Sequence, residues 1–286
     1  MFPVAGLGTR LLPATKIMPK EMLPIVDTPL IQMAIEEAKA AGIESFVFVI
    51  NQGKELLIEH FDEAPALRDV LLKRGKTREL QKLNLATLPE GQPLMTYQKQ
   101  ALGLGHAIWC ARDLIADDAF AVILPDDVIR AQTPCLQQMV KFYELHEGNI
   151  VAAMKVAPEQ ISKYGAIDPA DVHADYCSIQ ALVEKPEQDK APSNFAVIGR
   201  YILHKDILNH LDDMVIKNQT GAGGEIQLTD AIAAMILNHN TYGYFFEGER
   251  HDCGSELGFI KAQIAFGLDR PHLRADLLAY LRVCLH

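Results

Sequence analysis

The segment Pro3 to Pro24, PVAGLGTRLLPATKIMPKEMLP, combines glycines and cations near the start of the chain. Gly6 and Gly8 lack a Cβ atom, so backbone N–H groups can approach an oxyanion closely there, and the hydroxyl of Thr9 can add a donor. The cations that follow the glycines are Arg10, Lys16 and Lys20. These residue types predict a loop that binds the phosphates of a nucleoside triphosphate.

Two familiar phosphate-binding motifs do not fit this spacing. The GxGxxG pattern needs a glycine where Leu11 stands, and the Walker pattern needs GK[ST] after a longer gap. A Gly-x-Gly tripeptide alone is also compatible with an ordinary turn. Pro13, Pro19 and Pro24 prevent one long helix from following the glycines, so we expect the cations on an extended segment beside the loop.

Composition narrows the classes of partner. The chain has 286 residues, 49% hydrophobic and 22% charged, which is enough for one large domain with a substantial core. A net charge of −10 weighs against nucleic acid or an anionic membrane as a partner. We expect no membrane span and no secretory signal, and five cysteines without a CxxC pair predict reduced thiols in the cytoplasm.

Apolar runs alternate with amphipathic segments, which predicts a Rossmann-like α/β/α fold with a mixed, mostly parallel central sheet. The predicted helices cover residues 29–41, 56–62, 65–75, 105–115, 133–146, 228–238, 254–267 and 271–282. The predicted strands cover residues 2–5, 45–50, 94–98, 120–124, 150–156, 179–183, 195–203 and 242–247. Ligands of such sheets bind beyond the carboxyl ends of the strands, so the loops after residues 5, 124 and 183 are expected there.

Further segments follow the glycine loop in a fixed order: LGLGHA (102–107), LPDD (124–127), KYGAID (163–168), VEKP (183–186), PSNFAVIGRYIL (192–203), GAGGEIQLTDAI (221–232) and HDCG (251–254). Together with VAGLGTRLLPATK and PKEMLPIVDTPLIQ, they resemble the bacterial UTP–glucose-1-phosphate uridylyltransferases along the whole chain. Val4-Ala5 and Glu21-Met22-Leu23 resemble the uridylyltransferase branch more than thymidylyl, adenylyl or cytidylyl relatives.

The resemblance implies one domain over residues 1–286, with a nucleotide-binding half at about 1–130 and a sugar-binding and oligomerisation half at about 131–286. It also implies transfer of uridylyl from UTP to α-D-glucose 1-phosphate, giving UDP-glucose and pyrophosphate. The attacking phosphate oxygen is already ionised near neutral pH, so the reaction needs cations, backbone donors and a metal ion instead of a general base. By the resemblance the catalytic residues are Arg10, Lys20 and Lys185.

Two aspartates are candidates for holding Mg²⁺, since carboxylate oxygens suit that ion. Asp126 matches the family's metal-binding position after the strand FAVIL, and Asp252 in HDCG is the second candidate. An aspartate after a buried strand is often only a helix cap or a turn former. Asp127 is interpreted as the solvated neighbour of Asp126.

The resemblance also implies contacts to the base. The nucleotide-binding residues are Ala5, Gly6, Leu7, Gly8, Thr9, Gln98 and Gly103. Gln98 stands eight residues before His106, where the family places a uracil-reading glutamine, and an amide can donate to and accept from a pyrimidine edge. Tyr97 occupies a position often held by arginine in relatives, and His106 is expected to be a structural residue at the start of a helix.

The implied sugar-binding residues are Gly165, Glu184, Asn194 and Gly199. Glu184 offers two acceptor oxygens to sugar hydroxyls, but an ion pair with the adjacent Lys185 is the alternative. Gly165 and Gly199 are also compatible with ordinary strand glycines. Glu225 and its neighbouring glycines fit either a flexible lid or a helix cap.

The resemblance further implies a cytoplasmic homodimer or homotetramer that supplies polysaccharide biosynthesis or a galactose pathway. Relatives usually carry several residues before PVAG, so we expect a short first strand here. The alternatives are a related sugar nucleotidyltransferase with another base or sugar, and a non-catalytic homologue that binds a sugar nucleotide. The glycine spacing disfavours an NAD-dependent oxidoreductase.

Overall fold

The computed structural model of the chain describes residues 1–89 and 91–285. The α-helices in those residues are α1 Leu30–Ala40, α2 Leu56–Glu59, α3 Pro65–Lys73, α4 Thr77–Ala86, α5 Leu104–Cys110, α6 Cys135–His146, α7 Ile207–Ile216, α8 Leu228–Met235, α9 Glu256–Asp269 and α10 Pro271–Cys284. The strands are β1 Phe2–Pro3, β2 Pro24–Ile25, β3 Thr28–Pro29, β4 Val47–Ile50, β5 Leu94–Tyr97, β6 Ala119–Ile123, β7 Asp127–Arg130, β8 Asn149–Lys155, β9 Gly165–Val172, β10 Tyr176–Glu184, β11 Phe195–His204, β12 Thr241–Phe245 and β13 Glu249–Asp252.

The long strands build a mixed sheet. β1, β4 and β5 pair in parallel, with Phe2 opposite Phe48. Met1 links this group to β6, since its nitrogen donates to Ala121 O at 2.8 Å and its carbonyl accepts from Ile123 N at 3.0 Å. β12 and β8 are parallel, whereas β11 lies antiparallel between β6 and β8. β1, β4, β5, β6, β8 and β12 therefore run in one direction, and β11 and the antiparallel β9–β10 pair supply the mixed character.

Helices cover both faces of this sheet. Val47 and Val49 point into one apolar cluster, to which α5, α7 and α8 contribute, while Phe48 and Ile50 point into a second cluster with α1 and α6. Successive strand residues face opposite sides, so the continuous apolar run of β4 requires helices on both. The predicted three-layer α/β/α fold with a mostly parallel, mixed sheet is confirmed.

The sequence explains why α1 lies where it does. Its buried residues Ile31, Ala34, Ile35 and Ala38 follow the i, i+3, i+4, i+7 spacing of one helix face. Gly42 then adopts φ 83°, a left-handed conformation that favours glycine and ends the helix.

Some elements were missed or misplaced by the sequence patterns. The predicted helix 105–115 ends at Cys110, because the chain turns there and continues as a 3₁₀ segment, Arg112–Leu114. α4 was missed although Leu80 and Leu83 follow helical spacing, and none of its residues is buried. β7 and β13 were missed because each has four residues rich in charge, and β9 because Pro169 interrupts its pattern. α7 was also missed, although Ile207 and Leu211 of its buried face follow helical spacing.

The ribbon of β7 and β13 brings two distant segments of the chain together. Asp127 lies opposite Asp252 in this antiparallel pair, and Cys253 N donates to Asp126 O at 2.7 Å. An apolar cluster that includes Val128, Cys253 and residues of α9 packs under the ribbon. Residue 252 is therefore held beside residue 126.

In the described part of the chain, no helix has both the length and the apolar character needed to cross a membrane. The cysteines there carry free thiols, as predicted; they are Cys110, Cys135, Cys177, Cys253 and Cys284. Burial raises the pKa of Cys253 to about 12, so its thiol stays protonated near neutral pH.

A buried ion pair ties β11 to α1. Arg200, 2% exposed, donates to both carboxylate oxygens of Glu37 at 3.0 and 2.8 Å and to the carbonyls of Leu124 and Gly199 at 2.9 Å. Leu136 N also donates to Glu37, at 2.9 Å. One carboxylate thus satisfies donors from the sheet and from α6 at once.

We expect Glu37→Ala to lower the free energy of unfolding by about 3 to 5 kcal/mol, because it leaves the Arg200 charge buried without a partner. Urea unfolding followed by circular dichroism measures the change. The matched control is Asp213→Ala on α7, which removes an exposed ion pair with Lys217, the residue that follows the helix. Equal losses in the two variants would contradict the role given to Glu37.

Candidate active site

A cleft with a volume of about 400 Å³ opens where β6, β10 and β11 meet the β7–β13 ribbon. Its lining is rich in charged and polar side chains. The lining residues are Arg10, Leu104, Leu124, Asp126, Asp127, Lys163, Tyr164, Gly165, Glu184, Lys185, Val197, Gly199, Tyr201, Glu225, Gln227, Leu228, Thr229, Arg250 and Asp252. Many residues predicted from sequence therefore share one cavity.

The glycine loop leaves β1 and turns sharply. Gly8 adopts φ 65°, and a Cβ there would lie 3.2 Å from Lys20 Cβ, so the position favours glycine on both counts. Thr15 donates its hydroxyl to Gly8 O at 2.7 Å. No long helix follows the glycines, as predicted. The predicted extended conformation of the segment is wrong at the cations, because Arg10, Lys16 and Lys20 lie in short 3₁₀ turns. Leu7, at the tip, is 66% exposed.

Lys54, just after β4, anchors this loop from beneath. Its Nζ donates to Val4 O at 2.5 Å, to Gly6 O at 2.6 Å and to Glu21 Oε2 at 2.9 Å. Lys54 is 7% exposed and Glu21 1% exposed. Burial raises the pKa of Glu21 and lowers the pKa of Lys54, so each side chain depends on the other to keep its charge.

Lys20, next to Glu21, reaches the other side of the loop and forms an ion pair with Asp126. Burial favours neutral Lys20, but the negative charges of Asp126 and Glu21 outweigh it and raise the pKa of Lys20 above its usual range. Burial likewise opposes ionisation of Asp126, yet the Lys20 charge and hydrogen bond hold the pKa of that carboxyl below its usual range. Both groups are therefore charged at neutral pH.

Arg10, Asp126 and Asp252 converge around Gly254. A Cβ at Gly254 would lie 2.8 Å from Asp126 Oδ2, 3.0 Å from Arg10 NH2 and 3.2 Å from Asp252 Oδ1. The distance between Asp126 Oδ2 and Asp252 Oδ1 therefore cannot exceed the sum of their distances from this Cβ position. A side chain at Gly254 would fill the space between them.

These two carboxylates fit a hard divalent cation. Mg²⁺ is usually held by one or two carboxylates and keeps positions for substrate phosphates and water. Asp126 and Asp252 both line an open cleft, which leaves room for such ligands. Asp252 Oδ1 also accepts from Gly254 N at 3.1 Å, which orients the carboxylate.

Asp127 is committed to other partners, so it is not the solvated neighbour considered from sequence. Arg250 Nε donates to Asp127 Oδ1 at 2.7 Å, and Gly199 N donates to Asp127 Oδ2 at 3.0 Å. Arg250 also donates to the Tyr164 hydroxyl at 2.8 Å. A Cβ at Gly199 would lie 2.7 Å from Asp127 Oδ2, so this glycine permits the close approach of β11 to the aspartate.

Glu184 is the last residue of β10, and Lys185 follows it. The sequence predicted the loop after residue 183 at the carboxyl ends of parallel strands, whereas β10 runs antiparallel to β12. Lys185 Nζ lies 3.2 Å from Glu184 Oε1, so the ion pair considered from sequence is present within the cleft lining. Thr229 donates to Glu184 Oε2 at 2.9 Å. Lys185 has φ 45°, and its N–H donates to Tyr164 O at 3.0 Å. Such a conformation in a non-glycine residue is typical of functional sites.

Gly165 packs against the same carboxylate. A Cβ there would lie 2.8 Å from Thr229 Cγ2 and 3.4 Å from Glu184 Oε2. Asn194 is outside the cleft lining, and its backbone carbonyl accepts from Val156 N at 3.0 Å. The geometry therefore groups Gly165, Glu184 and Gly199 around the cleft, but not Asn194.

Gln98 and Gly103 form a second cluster next to the cleft. Gln98 Nε2 donates to Gly103 O at 3.0 Å and lies 3.1 Å from His106 Nδ1. His106 is buried inside α5, and burial lowers its pKa, as suits a structural residue. Gly103 has φ 95°, and a Cβ there would lie 2.7 Å from the Cβ of Glu225, a cleft residue. Glu225 thus connects the two clusters.

Sequence reasoning missed several residues that shape the site. Lys54 and Arg250 lie outside the recognised motifs, and Thr229 and Tyr164 stood inside motifs without an assigned role. A buried lysine leaves no periodic signal in a single sequence. Arg250 offered one usable signal, because it immediately precedes the HDCG segment.

The comparisons with known proteins agree with this geometry. The family model described as nucleotidyl transferase matches residues 4–266. A UTP–glucose-1-phosphate uridylyltransferase from Bacillus subtilis strain 168 is 43% identical to the chain, covering all of it and 96% of the relative.

Two solved structures are similar to the chain as well. A UDP-glucose pyrophosphorylase from Acinetobacter baumannii has a TM-score of 0.87 at 35% identity and covers 100% of this chain and 98% of that one. A UDP-glucose pyrophosphorylase complexed with UDP-glucose has a TM-score of 0.81 at 41% identity, with 94% and 98% of the two chains covered.

We expect Lys20→Met to raise the pKa of Asp126, because burial then acts on the carboxyl without its main compensating charge. A carboxyl with a raised pKa in the folded state stabilises the fold as it takes up its proton on acidification. In the unmodified protein the pKa of Asp126 lies below its usual range, so the stability from this group is present near neutral pH and is lost only in strong acid. The difference in free energy of unfolding between the unmodified protein and Lys20→Met should therefore become smaller as the pH falls from about 7 to about 4.

Urea unfolding across that pH range measures the gap. The control is Lys205→Met, which removes the partner of the exposed Asp118 and should leave a small gap that hardly varies with pH. A gap for Lys20→Met that stays constant would show that Asp126 does not depend on Lys20 for its charge.

Proposed function

Because the chain belongs to the nucleotidyl transferase family, we propose that it transfers uridylyl from UTP to α-D-glucose 1-phosphate and releases UDP-glucose and pyrophosphate. The observation that carries this function is the end-to-end identity with proteins named for that reaction. The cleft supports this function because its lining contains both cations and carboxylates, and the reaction requires no nucleophilic side chain of the protein.

The reaction joins two polyanions, and the chain offers cations where they would meet. The sugar phosphate attacks the α-phosphorus in line, a new O–P bond forms, and the bond to pyrophosphate breaks. Arg10 and Lys20 stand beside Asp126 on the nucleotide side, and Lys185 stands on the sugar side. Fixed cations in a partly dehydrated cleft stabilise charge on the transferring group more strongly than water does.

We assign the sugar pocket to Glu184, Gly165, Gly199 and the neighbouring Lys185. The Thr229 hydroxyl donates to one carboxylate oxygen of Glu184, and Lys185 Nζ forms an ion pair with the other. The carboxylate is therefore held in one orientation. Such a carboxylate can accept hydrogen bonds from sugar hydroxyls. Asn194, which lies outside the cleft lining, remains a sequence prediction.

For the nucleotide, the loop Ala5, Gly6, Leu7, Gly8 and Thr9 would supply donors to the phosphates. Gln98 would read the uracil edge, with its amide oriented by Gly103 O and His106. Gly103 allows the close packing of this cluster against Glu225.

Asp126 and Asp252 would hold Mg²⁺. When bound there, the ion would neutralise phosphate charge during the transfer. Asp127 is excluded from this role by its bonds to Arg250 and Gly199.

We also propose that the protein acts in the cytoplasm as a homodimer or homotetramer that supplies polysaccharide biosynthesis. α9 and α10 carry large exposed apolar side chains, which supports an interface between subunits. These side chains are Leu257, Ile260, Tyr280 and Val283. Light scattering coupled to size-exclusion chromatography measures the assembly.

Release of pyrophosphate tests the proposed reaction. We expect fast release with UTP, glucose 1-phosphate and Mg²⁺, and a loss of about 10²-fold or more in kcat/KM in Asp126→Ala and Lys185→Ala, which remove transition-state charge stabilisation. Lys190→Ala, an exposed lysine five residues from Lys185, is the matched control and should keep its rate.

Parallel assays with dTTP and with galactose 1-phosphate separate the related enzymes. Faster release with dTTP than with UTP would assign another base, and faster release with galactose 1-phosphate another sugar. No release with any pair, while UDP-glucose still binds, would favour a non-catalytic homologue.

Lys54→Met tests whether the loop must be held from beneath. It removes the donor to Val4 O and Gly6 O, so we expect the KM for UTP to rise by roughly 10-fold, with a much smaller change for glucose 1-phosphate. Steady-state kinetics with each substrate varied in turn measure the split. An equal rise for both substrates would mean that Lys54 supports the fold in general and not the loop.

A further inference from the structure

A group of three metal-ligating side chains lies away from the cleft. His204 is the last residue of β11, Asp206 precedes α7 and His239 follows α8. Tyr201, which lines the cleft, stands three residues before His204 on the same strand, a span of about 10 Å. His204, Asp206 and His239 are all outside the cleft lining, at and beyond the carboxyl end of β11, and they play no part in the proposed transfer.

The ligand atoms of the three residues converge on one carboxylate oxygen. Asp206 Oδ2 lies 3.2 Å from His204 Nδ1 and 3.1 Å from His239 Nε2. The two imidazole rings lie side by side, with centroids 4.6 Å apart and planes inclined by 32°. All three ligand atoms are within 4.8 Å of one another.

The same separations fit a hydrogen-bonded cluster as well as a metal site, because a protonated ring nitrogen donates to a carboxylate oxygen. His204 Nδ1 has one lone pair, which accepts from Asp206 N–H at 3.2 Å when the nitrogen carries no proton. A metal ion bound at Nδ1 would therefore replace that hydrogen bond.

We propose that His204, Asp206 and His239 bind one Zn²⁺ ion, with a water molecule as the fourth ligand. Zinc accepts imidazole nitrogen and carboxylate oxygen, and its tetrahedral bonds of about 2.0–2.2 Å place ligand atoms roughly 3.3–3.5 Å apart. The two measured separations are close to that spacing. Two imidazoles favour zinc over Mg²⁺, which prefers oxygen ligands only.

The backbone around each ligand is already fixed. His204 N donates to the buried Asn149 Oδ1 at 2.9 Å, and Asn209 N donates to Asp206 O at 3.1 Å. His239 N donates to Met235 O at 2.9 Å. A site whose ligands are ordered before the metal arrives loses little entropy on binding.

Access and charge are also compatible with a cation. The side chains of His204, Asp206 and His239 are 30%, 44% and 23% exposed, so the ion can enter from solvent. The nearby Lys205 is paired with Asp118, which offsets its repulsion of a metal ion. Bound zinc would join the start of α7 to the end of α8.

Cobalt and zinc titrations of the tag-free full-length protein test this proposal. Cys284→Ser serves as the background throughout, because that exposed thiol could bind metal by itself. We expect one equivalent of Co²⁺ to give visible ligand-field bands without sulfur charge-transfer absorption, and one equivalent of Zn²⁺ to abolish them. Zinc at 100 times its dissociation constant should raise the melting temperature by roughly 5 °C.

His239→Gln and His204→Gln should each weaken zinc binding by about 100-fold or more and remove the shift in melting temperature. His272→Gln, which alters an exposed histidine on α10, is the matched control and should keep both signals. Transferase activity of all variants should match the background, which shows that they fold.

Saturable binding that persists in His239→Gln would place the metal elsewhere. No saturable binding up to roughly 1 mM zinc would show that the three residues form only a hydrogen-bonded cluster. Either result overturns the proposal without bearing on the transferase function.

Discussion

The structure of the site depends on one short turn that carries two ion pairs on consecutive residues, one partly buried and one buried. Lys20 faces Asp126 on the cleft side, and Glu21 faces Lys54 on the sheet side. Lys54 in turn holds the carbonyls of Val4 and Gly6. Because a buried charge without a partner is costly, the loop after β1, the segment after β4 and the turn after β6 cannot move independently of one another.

This constraint suits a protein that is acidic overall and yet must hold polyanions. Several cations of the cleft are paired with a carboxylate, as Lys20 is with Asp126 and Lys185 with Glu184. Arg250 and Asp127 form a further pair at the floor of the cleft. The charges are therefore in position before any ligand binds, which is the arrangement that electrostatic catalysis requires.

Much of this could be predicted from sequence, because local patterns carry it. The buried run of β4 and the helical spacing of α1 gave the layered fold, and the motifs gave Arg10, Asp126 and Glu184, which meet in the cleft. What sequence could not give are contacts between distant residues. The anchoring by Lys54, the commitment of Asp127 to Arg250 and the joining of β7 to β13 depend on long-range packing that leaves no periodic signal.

The central claim is that Lys20 and Asp126 stabilise each other beside the cleft, and a double-mutant cycle tests it most directly. Lys20→Met, Asp126→Asn and the double variant are unfolded in urea without divalent metal, with the exposed Lys190–Glu187 pair as a control cycle. The account predicts a coupling energy of about 1 to 3 kcal/mol for Lys20 and Asp126, far above that of the control. Additive effects, with a coupling below about 0.5 kcal/mol, would contradict it.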